Sequence, residues 1–165
     1  MNEEIPHFED LGEFKMVPGK PTVEREMALS FVYNPKTDMV LCLKWNSYVW
    51  KTFVNGGVDD GEDLETTGRR EIQEETGYMN VKFLGEAGKA KSSFYAANKG
   101  ENRISNATGL VLELVDEEMT ATGDEEKEKH LPEWVKVDDV ANYVNIDWQL
   151  YLWERVLASG LIKRG

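Results

Sequence analysis

Residues 55–78 read NGGVDDGEDLETTGRREIQEETGY, and this stretch decides the fold. Its second half predicts a helix over 64–76. Asp63 stands as the N-cap and Gly77 lies just past the end. At about 100° per residue, Leu64, Gly68, Glu71 and Glu75 share one stripe, with Glu74 on its flank. Like charges so placed repel, and an unpaired carboxylate turned inward costs several kcal/mol, on the order of the penalty for any buried charge. Two arrangements relieve this. Either the helix turns the acids to solvent, or a hard divalent cation binds them, since carboxylate oxygens suit Mg²⁺ and Mn²⁺. The glycines ahead of the helix let backbone approach a ligand closely, and Arg70 can hold Glu74 at i, i+4.

Other loop chemistries fail on the same residues. Gly56-x4-Gly61 has P-loop spacing, but Glu62-Asp63 follows where Lys-Ser/Thr is needed. No G-x-G-x-x-G occurs. A calcium loop fails because Val58 and Gly56 stand where ligands belong.

Around this segment the pattern alternates strand and helix. MALSFVY (27–33) and MVLCLKW (39–45) form a hairpin across Asn34-Pro35-Lys36-Thr37-Asp38. Short strands are predicted at 51–54, 81–84, 92–96, 110–115 and 133–135, with a very acidic connection over 119–129. Helical stretches follow near 138–144 and 147–158, the second with Leu150, Trp153 and Leu157 as its core stripe. Pro6, Pro18 and Pro21 mark residues 1–26 as an arm or lead-in. The chain then divides into that arm, one domain over 27–160 and a short basic tail, 161–165. The element order suggests an α+β class.

Composition narrows the function. The chain has 165 residues with 19 basic and 31 acidic side chains, net −12. That length suits one core. The charge argues against general nucleic-acid binding and against anionic membranes, though a polyphosphate remains open if cations intervene. The longest apolar run, Met39 to Leu43, is too short to cross a bilayer. The start lacks a secretory pattern, so the expected address is cytoplasmic, and Asn106 is a chance sequon. Cys42, the one cysteine, reads as a small buried hydrophobe.

The segment resembles the Nudix box, G-x5-E-x7-R-E-U-x-E-E-x-G-U with U bulky and apolar. Gly56, Glu62, Arg70, Glu71, Ile72, Glu74, Glu75, Gly77 and Tyr78 stand at those places. Seven fixed letters match, a coincidence of about one in 10⁸ at average residue frequencies. The chain departs from the pattern in having Val54-Asn55 where many members have a proline, Tyr78 for an aliphatic, and Gly68 where alanine is common.

The resemblance implies an α/β/α sandwich with a mixed sheet. It also implies hydrolysis of a nucleoside diphosphate linked to another moiety, by water attack on phosphorus with Mg²⁺ or Mn²⁺. Glu71, Glu74 and Glu75 would be metal ligands, joined by the Asn55 carbonyl. Arg70 would orient the carboxylates and Glu62 would steady the loop. The general base would be Glu71 or an acid of the loop before Trp134, where Glu125, Glu126 and Glu128 stand; Glu128 is carried as the catalytic choice. Dimers are common in the family, so a homodimer is an expected state.

Tyr48 and Trp50 are the candidate base clamp, and Arg103 a contact for phosphate or ribose. His7 and His130 read as surface or capping residues. WKTFVNGG, the box and EWVKVDDVANYVNIDWQLYLW also resemble Nudix domains inserted in some leucyl-tRNA synthetases. The alternative function is therefore a non-catalytic module that senses a nucleotide or binds RNA or protein beside tRNA synthetase chemistry.

Overall fold

The computed structural model describes residues 4–164. Residues 1–3 of the expected lead-in and Gly165 of the tail lie outside the described residues. Seven strands form one mixed sheet: β1 (His7–Glu9), β2 (Thr22–Asn34), β3 (Met39–Trp45), β4 (Lys51–Gly57), β5 (Val81–Ala96), β6 (Glu101–Leu114) and β7 (His130–Lys136). Their order is β1-β5-β6-β2-β4-β3-β7. β2 is parallel to β6 and β1 to β5, while the other pairs are antiparallel. The helices are α1 (Leu64–Thr76), α2 (Asp124–Lys129), α3 (Val140–Tyr143) and α4 (Asp147–Ser159).

The central strand explains the layers. Side chains alternate along it, so Leu29, Phe31 and Tyr33 join Trp153 and Leu152 on one face. Ala28 and Val32 join Ile72 and Leu110 on the other. The sheet is therefore sandwiched between α4 and α1, the α/β/α arrangement in an α+β chain. Gly68 is what lets α1 sit so close, because a Cβ there would lie 2.9 Å from Leu110 Cδ1. Cys42 is fully buried in β3, and burial pushes its thiol up to about 12. Among the described residues no helix is long and apolar enough to cross a membrane.

Several elements differ from the sequence reading. β2 begins at Thr22, five residues before the expected strand, because β6 pairs with it from Thr22↔Asn102 onward. The lead-in also contributes β1, whose partner is β5. The two expected strands at 81–84 and 92–96 are one, since Gly85 and Gly88 are absorbed as irregularities in its register rather than ending it. Part of the acidic connection is helical, as α2. On α4, Leu157 is 49% exposed, and the buried residues are Gln149, Leu152, Trp153 and Val156. The helix is turned by Gln149, whose Oε1 accepts the Phe53 N–H at 2.9 Å.

Candidate active site and metal centre

α1 starts and stops where its local signals place it. Asp63 Oδ1 accepts the Thr66 N–H at 2.8 Å, and Gly77 closes the helix in the left-handed region at φ 87°. The loop before it is braced by Glu62, which accepts from the Asp59 N–H at 3.0 Å and from Thr67 Oγ1 at 3.0 Å. Arg70 sits between loop and helix. Its Nε donates to Glu62 at 2.8 Å, its Nη1 to Glu71 at 2.7 Å and Glu74 at 3.3 Å, and its Nη2 to the Gly57 carbonyl at 3.1 Å. One guanidinium thus fixes three carboxylates relative to the strand end, which a lysine could not do. Glu62 is held down to about 2, foremost by that hydrogen bond to Arg70.

Glu71 and Glu75 turn toward β4. Glu71 fills the space over Gly56, where a Cβ would come within 2.1 Å of its Cδ. Burial raises the Glu71 carboxyl. The Glu75 carboxyl stands well above the ordinary carboxylate range, first through burial and then through the charges of Glu71 and Glu126. Glu75 Oε2 is buried without a hydrogen-bond partner. Glu74 is exposed and bonded to Arg70. Asn55 lies within β4, opposite Leu29, without the left-handed backbone its residue type tolerates. A crowd of partly buried carboxylates with an unsatisfied oxygen is what a hard divalent cation relieves, so the donors fit Mg²⁺ or Mn²⁺.

β7 brings two more groups to Glu75. Its first residue, His130, pairs with Trp45 of β3 and is 1% exposed, not a surface group as the sequence suggested. Among the acids of α2, Glu126 is the one that approaches: Glu75, Glu126 and His130 offer ligand atoms within 4.8 Å of one another. Glu128 is exposed, and its carbonyl accepts from Asn46 Nδ2 at 2.8 Å. Tyr78, odd for its box position, accepts from Trp134 Nε1 at 2.8 Å through its hydroxyl.

A cleft of ≈ 660 Å³ includes Asn55, Arg25, Phe14, Trp50 and Trp148 in its walls, and it reaches the glycine loop through Asn55 of β4. Tyr48 and Trp50, chosen from sequence, stack at 4.2 Å and 12°, and Phe14 from the lead-in packs on Trp50 at 5.4 Å. Arg103 does not line the cleft; Glu101 holds it through contacts of 3.0 and 2.9 Å. Arg25, which sequence reasoning passed over, does. Its Nε is buried without a hydrogen-bond partner, and its Nη1 would lie 3.1 Å from a Cβ on Gly57. The signal was weak, because Arg25 stands two residues before the buried run of β2 begins at Met27, with exposed Glu24 and Glu26 on either side. His7 is exposed and bonds Ser93 Oγ, and it is not among the residues that line the cleft.

Comparisons with known proteins bear on the family and the fold. The family model described as NUDIX domain matches residues 24–153. An RNA pyrophosphohydrolase of Caulobacter vibrioides (strain NA1000 / CB15N) is 58% identical over 38 residues, 23% of this chain. The match spans only 22% of that protein's length. The fold is similar to a C. elegans Ap4A hydrolase, at TM-score 0.59 and 17% identity over 83% of this chain and 98% of that one. An E. coli dihydroneopterin triphosphate pyrophosphohydrolase is similar at 0.58 and 16%, over 83% and 99%. With the family model covering most of its length and its box glutamates gathered under the glycine loop, the chain belongs to the Nudix hydrolase superfamily.

Proposed function

We propose that the chain is a pyrophosphohydrolase: water attacks phosphorus in a nucleoside diphosphate that carries a further moiety, and the P–O–P bridge breaks. The observation that carries this reading is the buried, unpartnered Glu75 carboxylate oxygen beside Glu71. Glu71, Glu74, Glu75 and the Asn55 carbonyl would hold Mg²⁺ or Mn²⁺, which when bound offsets diphosphate charge and acts as a Lewis acid. Arg70 keeps the carboxylates in place. Glu71 Oε2 takes the proton of the attacking water, Oε1 already accepting from Arg70; a carboxyl raised by burial suits that task. With Glu126, not Glu128, at the site, the later-loop acid acts on the cation's side. Arg25 meets phosphate or ribose at the near end of the cleft, and the Tyr48–Trp50 stack offers a nucleobase a flat apolar face.

The test is a substrate panel with Mg²⁺ and Mn²⁺: ADP-ribose, dinucleoside polyphosphates, oxidised nucleoside triphosphates, NADH and capped RNA. The Caulobacter relative's name adds RNA to the panel, although a net charge of −12 favours small nucleotides over long chains. Glu75→Gln is expected to lower turnover by on the order of 10²-fold or more with the fold intact. Equal turnover by variant and parent overturns the reading. Tight ADP-ribose binding without product supports a sensing module instead.

A further inference from the structure

Both ring nitrogens of His130 are buried without a hydrogen-bond partner, as is Glu75 Oε2 across from it. Buried polar atoms are ordinarily satisfied, and each one left alone destabilises the fold. The two ring nitrogens point away from each other, so one of them meets the carboxylates of Glu75 and Glu126, and that unsatisfied nitrogen beside an unsatisfied Glu75 oxygen requires a common explanation. His130 Nε2 lies 3.3 Å from Glu126 Oε2, yet off the hydrogen-bonding axis. An ordinary His–Glu pair would in any case leave Glu75 alone. The ring is also pinned, its face at 73° to Trp45 with centroids 4.9 Å apart, and its backbone is held in the β3–β7 ladder.

We propose that His130 supplies a nitrogen ligand to the cation held at Glu75, with Glu126 on the same ion. The centre is then a mixed carboxylate–imidazole site that takes Mn²⁺ in preference to Mg²⁺. This rests on the hydrolase reading and deepens it. The three ligand atoms already lie within 4.8 Å of one another, and cation–ligand distances of about 2.0–2.2 Å bring them closer together. Glu126 can make that approach because α2 buries no residue. The metal preference follows from chemistry: Mg²⁺ keeps to oxygen, whereas imidazole suits transition ions. Nothing in the box motif supplies nitrogen, so this ligand comes from outside it.

Pulsed electron paramagnetic resonance on the Mn²⁺-loaded chain tests this without any turnover. Parent protein is expected to show the nitrogen coupling of one directly bound imidazole, which changes isotope when histidine is ¹⁵N-labelled. The coupling persists in His7→Gln and vanishes in His130→Gln, which also loses about 10–100-fold in Mn²⁺ affinity and far less for Mg²⁺. Should His130→Gln not fold, the ¹⁵N-labelled His7→Gln variant decides the matter, because His130 is then the sole histidine. Bound Mn²⁺ without nitrogen coupling, or coupling that survives in His130→Gln, overturns the inference and leaves the hydrolase reading standing. Mn²⁺ bound equally by parent and Glu75→Gln overturns both.

Discussion

Gly56 shows how one absent side chain makes room for chemistry. Glu71 occupies the volume an alanine methyl would need, its Cδ only 2.1 Å from that position. Gly56→Ala is therefore expected to displace Glu71 from its 2.7 Å bond to Arg70. Turnover should fall on the order of 10²-fold, with about 1–3 kcal/mol lost in stability from overpacking. Steady-state kinetics and thermal melting check both, and an active, equally stable variant would show that the wedge is not needed. That glycine was legible in the motif, but its reason was not, because spacing does not say which side chain fills the gap. His130 was misread for a related cause. The residues leading into it are charged, while its burial comes from β3, which contributes Trp45 from 85 positions earlier.

Helix α1 was legible from end to end because its signals are local: a capping aspartate, a terminal glycine and a stripe of small and apolar residues leading into acids. The start of β2 was not, since its partner β6 lies 80 residues on, and neither was the inward face of α4, which the polar Gln149 anchors. The entrance to α1 carries a pH signature. Glu62 is depressed from 4.5 to about 2, first by Arg70 and then by the Asp59 amide. A depressed carboxylate stabilises the folded state above its unfolded value, so the contribution is complete above pH 4.5 and is lost as pH falls through about 2. The melting difference between parent and Glu62→Gln should accordingly be largest near neutrality and shrink as the solution is acidified from pH 5 to 2. A difference that stays constant across that window removes the Glu62–Arg70 pair as its source.

Across the molecule, 31 acidic side chains outnumber 19 basic ones, and any salt screens that repulsion. A specific centre does more. Mn²⁺ at about 100 times its dissociation constant should stabilise the chain by about 2.7 kcal/mol, beyond NaCl at matched ionic strength. Chelation should reverse the gain, and equal melting temperatures in the two salts would mean that only screening operates. The cleft escaped the sequence because its walls are gathered from distant places: Phe14 from the lead-in, Arg25 from β2, Trp50 ahead of β4 and Trp148 from α4. The two flanks of the glutamates are also unequal. On one, Arg70 bolts the glycine loop to α1. On the other, α2 buries nothing and is fastened through Asn46 to the carbonyls of Lys127 and Glu128. The carboxylates are thus gripped unequally, by a half-buried guanidinium on one flank and on the other by a six-residue helix whose side-chain fastenings lie open to water.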